Sequence, residues 1–305
     1  MKQIIETLDL NDLLDIENKP SVINHLREIL STTGFFFLKN HGLDTHKIVR
    51  MEKSFKFFFD LSEKEKNKYY FPETHGQKGY TPLKIETGEH FAIADEKEFF
   101  HVFPADTPNI EQYQAFKYHV DLMWYQFNSL SKKLMEVIAI CANEDKNFFN
   151  IKEGGYSILR GIHYPPSENP LQDEEEGMDG GNILGMCASK HTDINMITLL
   201  LAKEAGLQLF YKKEWIPVTI TDPNVLIVNV GDMLEHLTNG EFVSGLHRVV
   251  CERNTTRYSY PFFFHIPSDF SIKPLERFGV PKEKYCFETA GEFLSHRLKQ
   301  INLKT

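Results

Sequence analysis

The sequence predicts a mainly β protein in which a jelly-roll core, a double-stranded β-helix, is flanked by helices. Two observations carry this prediction. From residue 156 onward, short apolar runs alternate with Gly, Pro and Asn, which is typical of antiparallel strands. Residues 1–150 instead place apolar side chains at helical spacing. We therefore expect a helical N-terminal region at 1–150, the jelly roll at 151–270 and a C-terminal helical segment at 271–305 that forms a lid.

The N-terminal region contains several apolar stripes that predict helices. They are a helix from an N-cap at Ser21 to about Ser31, a second at Thr45–Phe59, a charged turn from Ser62 and a long helix at about Asn109–Asn143. Gly34 ends the first helix, and Phe35–Leu38 follows as a short buried strand. Pro72–Pro108 has little periodicity, so we expect it to form part of a substrate mouth, with Tyr80 as a candidate substrate contact.

The first strand of the predicted core is Ser157–Tyr164. Side chains alternate along a strand, so Ile158, Arg160, Ile162 and Tyr164 share one face. An arginine on the inner face needs a partner. For Arg160 that partner is either a substrate carboxylate or a carboxylate from a flanking helix.

Composition excludes several functions. The chain has 305 residues, is 41% hydrophobic and carries a formal charge of -9 without a Lys/Arg cluster, which argues against a nucleic-acid partner. No apolar run is long enough for a membrane span, and the opening residues do not resemble a signal peptide. We expect a cytoplasmic monomer with four free thiols, Cys141, Cys187, Cys251 and Cys286. The acidic stretch Ser167–Gly181 receives no function.

A candidate metal site comes from His191, Asp193 and His247. A His and an Asp two residues apart on one strand point to the same face, and His247 follows a later apolar run that predicts a neighbouring strand. Two imidazoles and one carboxylate form the facial triad of non-haem Fe(II) oxygenases, which leaves positions open for a cosubstrate and dioxygen. On its own a His-x-Asp is weak, and the second His strengthens it.

A candidate anion site follows the third ligand along the chain. Arg257 and Ser259 share a strand face, and a guanidinium beside a hydroxyl suits a carboxylate. Counting on by twos adds Phe263 and His265, which are predicted to line a substrate cavity or to belong to the core.

The motifs together resemble the Fe(II)/2-oxoglutarate-dependent dioxygenases of the isopenicillin N synthase-like type. The resemblance covers nearly the whole chain, in the blocks Gly34–Gly42, Leu61–Lys66, Gly79–Tyr80, Glu96–Phe100, His191–Asp193, Gly206–Leu209, Asn229–Asp232, Ser244–Val249 and Arg257–Ser259. It implies Fe(II) at the triad, with 2-oxoglutarate and O2 as cosubstrates. Tyr164, which precedes Pro165, would help Arg257 and Ser259 hold 2-oxoglutarate, whereas Ile162 stands where the family often has Asn.

The resemblance implies an oxygenase that oxidises a C–H bond of a small molecule by hydroxylation, desaturation or oxidative cyclisation. If Arg160 faces inward, a carboxylate-bearing, amino-acid-derived metabolite is the favoured substrate, and an aromatic molecule stacked on Phe263 is the rival. Three alternatives stay open: a 2-oxoglutarate-independent Fe(II) oxidase or cyclase, a non-catalytic metal-binding or sensing barrel, and a zinc hydrolase.

Overall fold

The fold is seen in a computed structural model that describes residues 4–74, 76–85, 95–149, 155–166, 185–220, 222, 224–251 and 255–300. Its helices are α1 (Leu10–Leu14), α2 (Pro20–Thr32), α3 (Thr45–Phe59), α4 (Glu63–Lys66), α5 (Ala115–Cys141), α6 (Asp232–Leu237) and α7 (Ala290–Gln300). Its strands are β1 (Glu6–Asp9), β2 (Phe35–Lys39), β3 (Gly79–Thr81), β4 (Glu98–Val102), β5 (Ile158–Tyr164), β6 (Gly185–His191), β7 (Ile197–Ala202), β8 (Leu207–Tyr211), β9 (Glu214–Pro217), β10 (Leu226–Val230), β11 (His247–Cys251) and β12 (Arg257–Phe264).

The strands form two sheets that face each other. The larger has eight strands in the order β1-β2-β10-β7-β12-β5-β4-β3, and the smaller has four in the order β6-β11-β8-β9. Every pairing is antiparallel except β1 with β2. The predicted double-stranded β-helix with flanking helices is confirmed.

Each face of the larger sheet buries a different core. Along β2, Phe36 and Leu38 join the helices in one hydrophobic cluster, while Phe35 and Phe37 join residues of the smaller sheet in another. A strand buried on both faces loses the alternation of apolar and polar residues, which explains the continuous apolar run. The second cluster, between the sheets, surrounds the candidate site.

Two helices cover the outer face of the larger sheet. Helix α5 packs against β4, β5, β7 and β12, and its Phe127 ring stacks on Phe262 at 5.5 Å between centroids. The Phe55 ring of helix α3 contacts β5 at Gly161, where an added Cβ would lie 2.3 Å from the ring. Glycine at this position therefore permits the close approach of helix and strand.

The helix predictions are confirmed in type and corrected at some ends. Helix α3 has the predicted bounds, and Gly34 follows α2 with a positive φ of 66°. Helix α2 begins at Pro20 rather than after an N-cap at Ser21, because proline fits the first helical position. Helix α5 begins at Ala115, since a turn with a β-bridge between Ile110 and Tyr113 precedes it.

The segment Pro72–Pro108 contains two strands that its sequence pattern did not predict. It holds β3 and β4, and all five residues of β4 are buried, so no alternation marks the strand. Strands β1 to β4 come from the N-terminal region and lie at the two edges of the larger sheet, with β1 and β2 at one edge and β4 and β3 at the other. Residues on both sides of position 150 thus share one sheet.

The cysteine prediction is wrong for Cys187, which is disulfide-bonded, whereas Cys141 and Cys286 are free. The strand pattern does not reveal such a bond, because the distance between two cysteines in the fold is not visible in their sequence spacing. The acidic stretch Ser167–Gly181 lies outside the described residues. Among the helices that are described, none is long and apolar enough to cross a membrane.

Candidate active site

A cavity between the two sheets brings most of the predicted site residues together. Its lining includes the candidate metal ligands His191, Asp193 and His247, and the candidate anion-binding residues Tyr164, Arg257 and Ser259. Arg160 and Phe263 line it as well. Residues from strands of both sheets therefore meet at one place.

The three candidate metal ligands converge from two neighbouring strands and a loop. His191 is the last residue of β6 and pairs in register with His247, the first residue of β11. Asp193 Oδ1 lies 3.7 Å from His247 Nε2 and 4.0 Å from His191 Nε2. One ligand atom from each residue lies within 4.8 Å of the others. Asp193 belongs to the loop before β7, so the turn, rather than strand alternation as predicted, aims it at the histidines.

Both histidines have a fixed tautomer. His191 Nδ1 lies 2.7 Å from the carbonyl oxygen of Ser189, and His247 Nδ1 lies 2.9 Å from that of Gly245. A carbonyl only accepts, so each Nδ1 carries the proton and donates. Each Nε2 keeps its lone pair for a metal, in the arrangement that orients metal-binding histidines.

The carboxylate of Asp193 is oriented by the larger sheet. Its Oδ2 accepts hydrogen bonds from Thr198 Oγ1 at 2.6 Å and from Asn229 Nδ2 at 2.8 Å. Oδ1 is left facing the histidines. Neither supporting residue was identified as a site residue from sequence, although an asparagine within the buried apolar strand β10 is a signal that a polar partner is near.

The charge states suit metal binding. Burial, reinforced by the charge of His247, lowers the pKa of His191 to about 4, so its imidazole is neutral at pH 7. Burial raises the pKa of Asp193, but the two histidines and the bonds from Asn229 and Thr198 outweigh it and hold that pKa below its ordinary value. A deprotonated carboxylate at Asp193 and a neutral imidazole at His191 are the forms that metals bind.

Arg257 is built to receive an anion. It is buried, its Nε donates to the carbonyl of Ala205 at 3.0 Å, and its guanidinium carbon lies 5.0 Å from the Tyr164 ring centre. Its Nη1 has no hydrogen-bond partner among the described residues. Leaving such a donor unpaired in the interior costs about 1–3 kcal/mol, so a ligand oxygen is the natural partner.

Arg160 lies on the same inner face, further along β5. As predicted, it shares the cavity with Ile162 and Tyr164. Its Nε lies 2.6 Å from His101 Nε2, and its guanidinium carbon lies 4.2 Å from the Phe99 ring centre and 5.2 Å from that of Phe263. These contacts fix the plane of the guanidinium. Arg160 lies four positions before Tyr164, which corresponds to about 13 Å along a strand.

The remaining predicted substrate residues differ in position. Phe263 lines the cavity. His265 is buried beyond the end of β12, its Nδ1 has no partner among the described residues, and burial lowers its pKa to about 4. Tyr80 lies in the outer core, where its hydroxyl donates to Glu98 at 2.5 Å. It is not among the described residues that line the cavity, because β3 is the far edge of the sheet.

The fold and this constellation define a class, the non-haem metal oxygenases with a jelly-roll core. The chain belongs to the 2OG-Fe(II) oxygenase superfamily, whose sequence pattern matches residues 155–266. Residues 5–122 match the N-terminal family described as non-haem dioxygenase in morphine synthesis. The predicted family is thereby confirmed.

Individual relatives agree with this assignment. A crystal structure of a putative 2OG-Fe(II) oxygenase family protein from Caulobacter crescentus is 31% identical, with a TM-score of 0.78 over 97% of this chain and 99% of that one. A 2-oxoglutarate-Fe(II) type oxidoreductase of Aspergillus fumigatus is 29% identical over 87% of this chain and 82% of its own. An isopenicillin N synthase of Amycolatopsis lactamdurans is 28% identical over 98% and 97%. The protein is a 2-oxoglutarate- and Fe(II)-dependent dioxygenase that uses O2.

Proposed function

We propose that this dioxygenase oxidises a C–H bond of a small carboxylate-bearing molecule, with each ligand held by its own group of residues. His191, Asp193 and His247 hold Fe(II). Arg257, Ser259 and Tyr164 hold the distal carboxylate of 2-oxoglutarate. The ion, when bound, supplies the oxidising chemistry that couples decarboxylation of 2-oxoglutarate to attack on the C–H bond.

The observation that carries this proposal is the spacing of charge inside one cavity. Arg257 and Tyr164 are opposite one another on β12 and β5, and Arg160 lies four positions before Tyr164 on the same face. The backbone positions of the two arginines are thus about 13 Å apart in the strand direction, and both side chains line the cavity that holds the candidate metal ligands. One arginine serves the cosubstrate, and the other serves the substrate.

Arg257 and its neighbours do the positioning at the cosubstrate end. The unpaired Nη1 donates to a carboxylate oxygen, Ser259 adds its hydroxyl, and the Tyr164 ring supports the guanidinium. Ile162 supplies apolar surface between the two ends. The buried setting excludes water and strengthens each charged contact.

At the substrate end, Arg160 is held flat by Phe99 and Phe263 and by its bond to His101. A planar guanidinium whose orientation is already fixed recognises a carboxylate with little loss of side-chain entropy. An amino-acid-derived acid with an apolar body fits this combination of cation and aromatic rings. An aromatic substrate without a carboxylate would use Phe263 but not Arg160.

The first test separates cosubstrate from substrate. Apoprotein is loaded with Fe(II) without oxygen, 2-oxoglutarate is added, and the weak visible charge-transfer band of the chelate is recorded. We expect Asp193→Ala to abolish the band and Arg257→Met to raise the 2-oxoglutarate concentration needed for it by about 100-fold, since a charged hydrogen-bonded pair is lost. A band of normal affinity in Arg257→Met would contradict the cosubstrate assignment.

The substrate class is tested with matched pairs of compounds. A panel of N-acyl amino acids and aryl-alkyl acids is compared with the corresponding primary amides, and substrate-stimulated succinate formation is measured. We expect acids to outperform amides in the natural chain and Arg160→Met to remove the difference. Equal stimulation by acid and amide in the natural chain would reject the carboxylate and favour the aromatic substrate.

A further inference from the structure

Among the strands that the structure describes, β6, which presents His191, lies at one edge of the smaller sheet. In the smaller sheet, among the described strands, β6 pairs with β11 alone, and that pairing shifts register after His247. An edge strand has backbone N–H and C=O groups on one side that no neighbouring strand pairs. His191 is also the most exposed candidate ligand, with 35% of its side chain accessible against 7% for Asp193 and 9% for His247. It needs support from another part of the chain.

A buried carboxylate meets this edge two residues before His191. Asp95, which lies just before β4, accepts hydrogen bonds at Oδ1 from the backbone nitrogen of Ser189 at 3.1 Å and from Ser189 Oγ at 2.8 Å. Asp95 is only 4% exposed. Its oxygen takes the place that a carbonyl of a neighbouring strand would occupy.

Ser189 connects Asp95 to the candidate metal ligand His191. Its carbonyl oxygen accepts the Nδ1 proton of His191 at 2.7 Å, and its N–H is held by Asp95. The two groups belong to one short stretch of backbone. A shift of Ser189 would therefore rotate the imidazole and displace its Nε2.

Lys97 completes the arrangement. Its Nζ lies 2.7 Å from Asp95 Oδ2, both side chains are buried, and Lys97 lines the cavity. The lysine thus orients the carboxylate that holds Ser189.

We propose that Asp95 and Lys97 form a positioning pair for His191, which acts through Ser189 and keeps Nε2 aimed at the metal. The inference rests on the proposed ligand set. The proposal gives the residues just before β4 a role at the metal centre. Strand β4 itself belongs to the larger sheet, whereas His191 belongs to the smaller one. Asp95 and Lys97 touch no reacting atom in this role.

The test measures metal affinity in the apoprotein, with Co(II) as the probe because its visible spectrum reports coordination. Asp95→Leu/Lys97→Met removes both charges and the acceptor, and we expect Co(II) to bind about tenfold more weakly, with an altered spectrum. Asp95→Asn/Lys97→Met keeps an acceptor for Ser189 and should recover most of the affinity. Ser189→Ala removes only the hydroxyl contact, and we expect about a threefold loss.

The matched control is a second buried ion pair. Lys66 and Glu98 also lie 2.7 Å apart, and their described hydrogen bonds include none to a candidate metal ligand. Glu98→Leu/Lys66→Met should bind Co(II) within about twofold of the natural chain, whatever it does to the melting temperature. A general effect of losing a buried pair would lower affinity in both double variants.

Three outcomes are distinguishable. Weaker Co(II) binding in Asp95→Leu/Lys97→Met with recovery in Asp95→Asn/Lys97→Met supports the positioning role. The role is overturned if Asp95→Leu/Lys97→Met binds Co(II) with the affinity of the natural chain, or if Glu98→Leu/Lys66→Met loses as much affinity. If Asp95→Leu/Lys97→Met does not fold, natural Co(II) affinity in Ser189→Ala overturns it. If Asp193→Ala binds Co(II) like the natural chain, the ligand set itself is wrong, and the proposed function fails separately.

Discussion

At the scale of single residues, the site depends on hydrogen bonds that fix which atom each side chain presents. The Nδ1 donors of His191 and His247 are occupied by backbone carbonyls, and Oδ2 of Asp193 is occupied by Thr198 and Asn229. The three remaining atoms face one point. Supporting partners of this kind usually affect metal affinity as well as geometry.

Thr198→Val tests one of these partners. The substitution keeps the shape of the side chain and removes the hydroxyl that donates to Asp193 Oδ2, so the carboxylate is held by Asn229 alone. We expect Fe(II) affinity, measured by anaerobic titration, to fall about tenfold. Thr81→Val, a buried position on β3, should leave the affinity unchanged. Unchanged binding in Thr198→Val would show that the hydroxyl is dispensable.

The sequence predicted the candidate metal ligands better than the residues that orient them. His191, Asp193 and His247 were identified by residue type and spacing, and the cavity brings them together. Asp95 was not identified, because its contact with Ser189 joins residues 94 positions apart in sequence. Spacing rules describe neighbours on one element, whereas such long-range contacts depend on the packing of the two sheets.

At the scale of elements, the fit of helix to sheet depends on a few close approaches. Helix α3 lies against β5 at Gly161, with the Phe55 ring over the strand. The bounds of α3 followed from its apolar stripe, but β4 was missed, because the buried polar residues Glu98 and His101 interrupt its apolar run. A buried strand with an unbroken apolar run, such as Phe35–Leu38, is visible in the sequence, whereas one interrupted by buried polar residues is not.

Gly161→Ala should loosen this contact. The added Cβ would lie 2.3 Å from the Phe55 ring, so helix and strand must separate. We expect the free energy of unfolding, measured by denaturant titration, to fall by about 1–3 kcal/mol. Ser129→Ala, at an exposed position of α5, should change it by less than about 0.5 kcal/mol. Natural stability in Gly161→Ala would mean that Phe55 moves without cost.

At the scale of the whole molecule, Glu98 ties together four elements behind the site. From β4 its carboxylate accepts hydrogen bonds from Lys66 of α4, Tyr80 of β3 and His163 of β5. Burial raises the pKa of Glu98, but the bonds from His163, Lys66 and Tyr80 outweigh it and lower that pKa from its ordinary 4.5. The ionised form is therefore favoured in the folded protein.

Glu98→Gln should show this in the pH dependence of stability. Because the folded pKa lies below the unfolded one, the charge contributes stability above about pH 4.5 that is lost as the pH falls toward the folded pKa. At pH 7 we expect the variant to be less stable by about 3 kcal/mol, since buried Lys66 loses its counter-ion. Unfolding curves of both chains at several pH values should converge in acid. A constant difference would contradict the assignment.

The C-terminal helix α7 is joined to the ligand turn. Arg297 lies 3.0 Å from Asp232 Oδ2, which also accepts a hydrogen bond from Thr192, the residue between His191 and Asp193. The backbone nitrogen of Asp232 donates to the Asp193 carbonyl at 2.7 Å. The segment predicted to form a lid therefore supports the turn that carries Asp193, which its place in the sequence did not indicate, and its role as a lid stays a prediction.

The three candidate metal ligands are held by different sheets, and this affects how much of the protein is folded. His191 and His247 belong to the smaller sheet, and Asp193 is held by Thr198 and Asn229 of the larger one. An ion shared by these residues acts as a cross-link between the sheets that forms only in the folded chain. At an ion concentration about 100 times the dissociation constant it adds about 2.7 kcal/mol to stability. Iron scarcity would then reduce the amount of folded enzyme as well as its turnover.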